Sequence, residues 1–579
     1  MTMEIIRYAL QAVVDEMSVT MAKAAYSVNI KTRFDMSCAI FDRDCRLLAQ
    51  SEKICQPGFV GALVVYARKV RESYADKPLG ADDMLVVNDP FLWATHLPDI
   101  AMFAPVFAAD TDRPVAYLMC IGHHSDVGGR APGGYVGDST DIFQEGLIIP
   151  PVRLVKDGVV DQEILELILA NVRTRDDNIG DFMAQIAALN TGKARFADVI
   201  ARYGRAELET YTDALLNHAE RRFAQALSCI PEGRYSGEDW LDDDGVGDTP
   251  IRVEVTLIMK DGKLTVDLTK APSQLRGPFN CTPAQAYSKA FYAIKAMVDP
   301  DGHVNEGCYR CVAMIAPEGS FANPRRPAPV AMGWEAANRI LEGTLLALAQ
   351  AMPERALAQC KRTIGVTGYG GISPITREPY AFFEAIGGGY GARATKDGID
   401  GIQAHTQNTA DAEVEEMEAS FPVRVERFAL IADSEGAGRF RGGLGICKEV
   451  VFIGHETRWS CTGDGRRFVP RGIYGGGDAR GLRYVLAVGR PDERVIEKKT
   501  TITVAADTPI CIQTPGGGGY GDPFERPIAD VLRDVRQEKV TAARAHAAYG
   551  VVIHVTNGIP GVDETATAAL RAAPRGVRA

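Results

Sequence analysis

The sequence predicts a mixed α/β (α+β), multi-domain protein, with a helical segment after the N-terminal region and a glycine-rich, β-rich C-terminal half. Three observations predict it. At 579 residues the chain is longer than one hydrophobic core usually organises, so about two to four domains are expected. Residues 161–227 carry helical periodicity with little interruption. The 58 glycines concentrate in runs between short strand-like segments from about 365 to 515, the pattern of tight turns and close backbone approaches.

In chain order, Ile6, Leu10, Val13, Met17 and Met21 recur at helical spacing, so residues 4–26 form an amphipathic helix. SCAIFDRDCRLLA (37–49) reads as two short strands around a turn, and residues 60–75 read as a helix. MLVVND (84–89) and PVAYLMCIGHH (114–124) are apolar enough for buried strands, with a loop between them. Past the helical block, RVEVTLIM, the turn residues Asp261-Gly262 and KLTVDLT make a hairpin. Helices follow at 284–298 and 335–351, then short strands in RFALIAD, KEVVFIG and TITVAA, then a last helix at 526–547 leading into VVIHV. The expected regions are 1–230, 231–365 and 366–579, and no internal repeat is present.

The composition, 46% hydrophobic and 24% charged, is that of a soluble globular protein. A net charge of −11 argues against nonspecific binding to nucleic acid or anionic membranes. There is no spanning-length apolar run and no secretory leader pattern, which together predict the cytoplasm. The twelve cysteines are scattered, as in a reduced protein. The one C-x-x-C, Cys308 to Cys311, has His303 nearby but no fourth zinc ligand.

Chemistry concentrates in two His/Asp clusters about 25 residues apart. NDPFLWATHLPDIAMF carries Asp89, His96 and Asp99; GHHSDVGGRAPGG carries His123, His124 and Asp126. Each contains H-x-x-D, and three of the chain's nine histidines fall here. Imidazole with carboxylate suits Mn, Fe or Zn better than Mg; the plainer alternative is capping of turns at strand ends. Glu145 is a candidate base or further ligand. The glycine runs match neither G-x-x-x-x-G-K-[ST] nor G-x-G-x-x-G in a strand–helix setting, so no nucleotide site is expected in this chain. Asp464, Arg439 and Arg441 are candidate contacts for a phosphorylated species, weighed against a reading as solvated surface charge.

THLPDI (95–100), HHSDVGG with PGG (123–134), EGLIIPPVRL (145–154), QLRGPFN (274–280), GSFANPRRPAPV (319–330), GGGYGARATKDG (387–398), SEGAGRFRGGLG (434–445) and TPGGGGYGDP (514–523) carry a resemblance. The chain resembles the hydantoinase B/oxoprolinase family over nearly its whole length. The resemblance implies the B subunit of an ATP-dependent, metal-containing hydrolase that opens a cyclic amide such as a hydantoin, a lactam or a 5-oxoproline-like ring. It implies a hetero-oligomer with a hydantoinase A-type subunit that binds ATP and phosphorylates the substrate carbonyl. A divalent metal, Mn, Zn or Fe, then falls on His96, Asp99, His123 and Asp126, with Asp89 and His124 as further positions. His123 or Glu145 is the implied proton acceptor. The alternative within the family is the large subunit of an ATP-dependent ketone carboxylase, for which this chain is short. The sequence departs from the family in AQSEKICQPGFVGAL (49–63), where many members carry histidines and this chain has Gln56 and Gly58, and in FLWAT (91–95), where Trp93 adds bulk.

Overall fold

The structure is a computed structural model that describes residues 2–572. Its first sheet contains β1 (Met36–Asp42), β2 (Leu47–Gln50), β3 (Met84–Val87), β4 (Asp99–Phe107), β5 (Pro114–His123), β6 (Val152–Lys156) and β7 (Val159–Val160). The order is β2-β1-β5-β4-β3-β6-β7, with every neighbour antiparallel. Both faces are covered. Cys38, Ile40, Met102, Leu118 and Cys120 pack on one side with Leu10, Met17 and Phe182 from the helices Thr2–Ala24 and Arg175–Tyr203. Ala39, Phe41, Phe103, Met119 and Ile121 pack on the other with Leu63, Tyr66, Phe291 and Ile340. A strand buried on both faces has no polar side to alternate with, which is why these segments read as continuous apolar runs.

β4 corrects the expectation of a loop between the two His/Asp clusters. Pro105 interrupts its strand pattern but costs no ladder bond to β3, because β3 pairs only as far as Phe103. The helical block is three helices, Gln162–Leu169, Arg175–Tyr203 and Arg205–Leu227.

The second sheet has β8 (Gly233–Leu241), β9 (Ile251–Lys260), β10 (Lys263–Asp267) and β11 (Val312–Ile315), in the order β11-β10-β9-β8. Asp261 and Gly262 both take positive φ at its hairpin turn, as a two-residue connection requires. The helices Pro283–Val298 and Gly333–Ala351 bury themselves between the first and second sheets, in one core running from Ala39 to Ala385. A capping box at Thr282 and Gln285 starts the former.

The C-terminal part has β12 (Val366–Ile372), β13 (Pro379–Ala385), β14 (Val423–Leu430), β15 (Ile446–Phe452), β16 (Thr457–Cys461), β17 (Arg483–Leu486), β18 (Arg494–Val495), β19 (Thr500–Val504) and β20 (Pro509–Gln513). They form the sheets β13-β12-β16-β19 and β14-β15-β20-β17-β18. Its glycine runs interlace. Gly389 N–H donates to Pro515 O at 2.9 Å, Gly517 N–H to Gly443 O at 2.9 Å and Gly436 N–H to Gly517 O at 2.8 Å. A Cβ on Gly442 would lie 1.7 Å from Gly517 O, so no larger residue fits there. The expected last helix is two, Ile528–Arg536 and Ala542–Tyr549, because Glu538 turns left-handed and Thr541 caps a new start. Among the described residues no helix is long and apolar enough to cross a membrane.

Candidate metal centre

The β4–β5 register sets Asp99, the first residue of β4, directly opposite His123, the last of β5. His96 sits in the turn entering β4, where its carbonyl accepts the Asp99 N–H at 3.1 Å. Three side chains from a 28-residue stretch of sequence therefore meet at one end of the sheet. His123 Nδ1 lies 3.0 Å from Asp99 Oδ1; His96 Nε2 lies 3.2 Å from that oxygen and 3.2 Å from His123 Nδ1. All three residues are buried.

The shell around the triangle fixes which atoms point inward. Asp99 Oδ2 accepts the Trp334 indole N–H at 3.0 Å and the Thr95 hydroxyl, leaving Oδ1 for the cluster. His96 Nδ1–H donates to Ala331 O at 3.1 Å, so a neutral His96 turns its Nε2 lone pair on Asp99 Oδ1. Two acceptors at that distance need a proton or a cation between them. His123 Nε2 is buried without a partner, which is where the proton of an Nδ1-ligating tautomer resides. Three donors about 2.0–2.2 Å from one ion lie about 2.8–3.6 Å from each other, and the observed separations of 3.0–3.2 Å fall inside that range. The residues thus fit a divalent ion. Burial pushes Asp99 upward, but the His96 and His123 imidazoles outweigh it and hold the carboxyl far below the usual carboxylate range. For His96, burial pulls down and the Asp99 carboxylate more than compensates, leaving it raised.

The triangle closes one end of a cavity of ≈ 40 Å³. Tyr135 and Phe383 pack against His123, with ring centroids 5.7 and 4.3 Å away. Asp35, Gln56, Gly58, Lys289, Trp334 and Thr406 complete much of the wall. Asp35 is raised by burial more than the His123 imidazole lowers it. The segment lacking the family's histidines therefore does line this cavity, through Gln56 and Gly58. Trp93 instead faces a separate surface cleft with Phe91 and Arg326.

Other expected site residues are placed elsewhere. Asp126 is not in the cluster. Its oxygens accept the Gly128, Gly133 and Arg173 N–H groups and the Arg173 guanidinium, all at 2.8–2.9 Å. A carboxylate so saturated has no lone pair left for an ion. His124 donates Nε2–H to Gln185 Oε1 at 3.1 Å and is pushed down to about 4 by burial, a neutral structural histidine. Asp89 caps Phe91 N–H at 3.0 Å and pairs with Arg326 at 2.6 Å. Glu145 does not line the cavity; it accepts the Ser139 hydroxyl at 2.6 Å and the Val330 N–H at 2.9 Å, one residue from the carbonyl that orients His96.

Asp464 and Arg441 are not solvated charge either. Asp464 is fully buried, 2.7 Å from Lys499, and Arg441 is buried against Asp400 at 2.8 Å and Asp534 at 3.1 Å. Arg439 is exposed as expected. Sequence reasoning missed Asp35, Lys289 and Trp334. For Lys289 a signal existed: a lysine inside the otherwise apolar AQAYSKAFYAI.

The hydantoinase B/oxoprolinase family model matches residues 1–523. The chain belongs to this family. An uncharacterised protein of Methanocaldococcus jannaschii is 35% identical over 560 residues, 95% of this chain and 96% of its own length. The caprolactamase subunit beta of Pseudomonas jessenii is 31% identical over 585 residues, 99% of each chain. The crystal structure of the ATP-dependent caprolactamase from the same organism superposes with a TM-score of 0.91 at 29% identity, covering 99% of both chains. The mixed α/β (α+β) fold expected from the sequence is thus the fold of a hydantoinase B/oxoprolinase member. The helices Ile528–Arg536, Ala542–Tyr549 and Glu564–Ala572 and the hairpin Ile553–Val562 lie beyond the family match.

Proposed function

We propose that this chain is the B-type subunit of an ATP-dependent, metal-containing hydrolase that opens a cyclic amide after a partner A-type subunit phosphorylates the carbonyl oxygen. The observation that carries the reading is the buried triangle of His96 Nε2, Asp99 Oδ1 and His123 Nδ1 at the end of a cavity. His96, Asp99 and His123 would hold a divalent ion, Mn, Zn or Fe, which supplies Lewis-acid polarisation of an oxygen. Trp334 and Thr95 orient Asp99, and Ala331 orients His96. Asp35 is a carboxylate of the cavity wall to which no hydrogen bond from a side chain is made among the described residues, and it accepts the proton of the attacking water. Water adds to the activated carbon, the C–N bond breaks as the proton passes to the departing nitrogen, and a second water cleaves the resulting acyl phosphate to the carboxylate and inorganic phosphate. The closed apolar wall of Tyr135 and Phe383 limits bulk water around the activated substrate. Assigning ATP to the partner accords with the glycine runs, whose N–H groups at Gly389, Gly436 and Gly517 already donate to backbone carbonyls.

The test is co-purification with an A-type subunit, metal analysis, and ATP-dependent ring opening of caprolactam, hydantoin and 5-oxoproline. About one metal per B chain and ATP-coupled hydrolysis are expected. ATP turnover on a ketone that requires bicarbonate would replace this reading with the carboxylase alternative.

A further inference from the structure

Lys289 lies in the helix Pro283–Val298 with 1% of its surface exposed, and it lines the same cavity as the metal triangle. It is the only lysine or arginine lining that cavity among the described residues. Its ammonium has three N–H donors. Two go to neutral oxygens, Asn338 Oδ1 at 2.7 Å and Thr406 Oγ1. Among the described residues no carboxylate pairs with it. The nearby Glu335 spends its oxygens on the backbone N–H groups of Ile364 at 2.7 Å and Asp464 at 3.2 Å. Trp334 connects the two ends of the site, giving its indole N–H to Asp99 while its ring lies 5.5 Å from Lys289 Nζ.

A buried cation without a counter-charge is costly, and proteins ordinarily pair it. Glu335 and Glu342 favour the ammonium through space but take none of its N–H groups, so the third donor is left for an anion that enters the cavity. We propose that Lys289 is the oxyanion-binding group of this site, holding a phosphate or carboxylate oxygen of the substrate opposite the metal triangle. The inference rests on the hydrolase reading and sharpens it: the substrate reaches this cavity as an anion. With ATP assigned to the partner subunit, the anion that meets Lys289 is the activated substrate or its carboxylate. Burial pushes Lys289 down to about 7, and Glu335 pulls partly back.

The test uses the metal-loaded complex with its A-type partner. Inorganic phosphate and, separately, acetate are titrated calorimetrically into wild type, Lys289→Met and Lys289→Arg. Wild type should bind one of the two. Lys289→Met should weaken that binding roughly 10- to 100-fold, the loss expected for one charged hydrogen bond, with metal content and assembly unchanged. Lys289→Arg should recover much of it. Tighter phosphate than acetate identifies the phosphorylated substrate as the source of the anion, and the reverse identifies a carboxylate. Should Lys289→Met not assemble, Lys289→Gln serves in its place. Equal affinity in wild type and variants, or binding of neither anion, overturns the proposal. Lys289-dependent binding in a complex that opens no cyclic amide would instead sink the hydrolase reading alone.

Discussion

Glu145, behind the carbonyl that orients His96, offers a quantitative test. Its buried carboxylate holds Ser139 and the Val330 N–H, and the next residue, Ala331, offers the carbonyl that locks His96. Burial, the largest influence, pushes its pKa from 4.5 to about 7, with the hydrogen bonds from Ser139 and the backbone pulling partly back. Between those two values the folded chain keeps a proton that the unfolded chain has released. Stability is therefore complete below about pH 4.5 and is lost as pH rises through about 7. The loss is about 1.4 kcal/mol per pH unit, about 3 kcal/mol in all. Glu145→Gln keeps the shape and both contacts, its amide oxygen facing Val330 N–H and its amide N–H facing Ser139 Oγ, but removes the titration. For a chain of this size that energy is worth about 2–3 °C in melting temperature. Thermal melts of wild type and variant at about pH 5 and about pH 8 should show the gap between them changing by that amount, to the disadvantage of wild type at the higher pH. Parallel profiles would refute the buried-proton argument. Glu145→Ala, which orphans the Val330 N–H, should weaken metal binding about 10- to 100-fold by loosening His96.

His123→Ala and Asp99→Ala should each take metal content well below one per chain while leaving assembly with the partner intact; full retention measured by mass spectrometry would strike that residue from the donor set. Asp126→Ala should retain its metal but lose about 2–4 kcal/mol of stability, because it strands the buried Gly128 and Gly133 N–H groups and both the backbone and the guanidinium of Arg173; a metal-free variant with an unchanged melt would restore Asp126 as a ligand. Gly442→Ala should fail to accumulate as folded protein, its Cβ meeting Gly517 O at 1.7 Å; a wild-type melting curve would contradict the interlaced glycine packing.

Why some of this was legible and some was not comes down to what spacing encodes. His96, Asp99 and His123 could be found from sequence because two adjoining strands bring a local stretch back on itself, and the register does the rest. The second H-x-x-D has the same spelling and a different geometry. Its histidine ends a strand, and positive-φ glycines at 128, 129, 133 and 134 then carry the chain away, so Asp126 serves that loop rather than the cluster. The motif gives residue types; only the strand end decides which way they face. Asp35, Lys289 and Trp334 enter from elements far apart in the chain, and no local pattern can register such a meeting.

The charged residues show the same limit from the opposite side. On average Asp and Arg are exposed, so Asp464 and Arg441 looked like surface. What buries them is their partners. Arg339 lies 2.9 Å from Asp239 and 3.6 Å from Asp464, Lys499 reaches Asp464, and Lys448 pairs with Glu384, all in the interior. Arg339, Asp239 and Asp464 tie the second sheet and the helix Gly333–Ala351 to the C-terminal part, and Lys448 with Glu384 ties the two C-terminal sheets to each other. That helix also carries Trp334, which holds Asp99, and Asn338, which holds Lys289. Its position is thus set on one side by ion pairs between regions and read out on the other as the geometry of the site. A buried ion pair adds little net stability once desolvation is counted, but breaking one strands a charge, so the helix is held in one place rather than held strongly. The polar interior of this chain is therefore best understood as registration: it fixes where Trp334 and Lys289 stand relative to the three residues that the first sheet brings together.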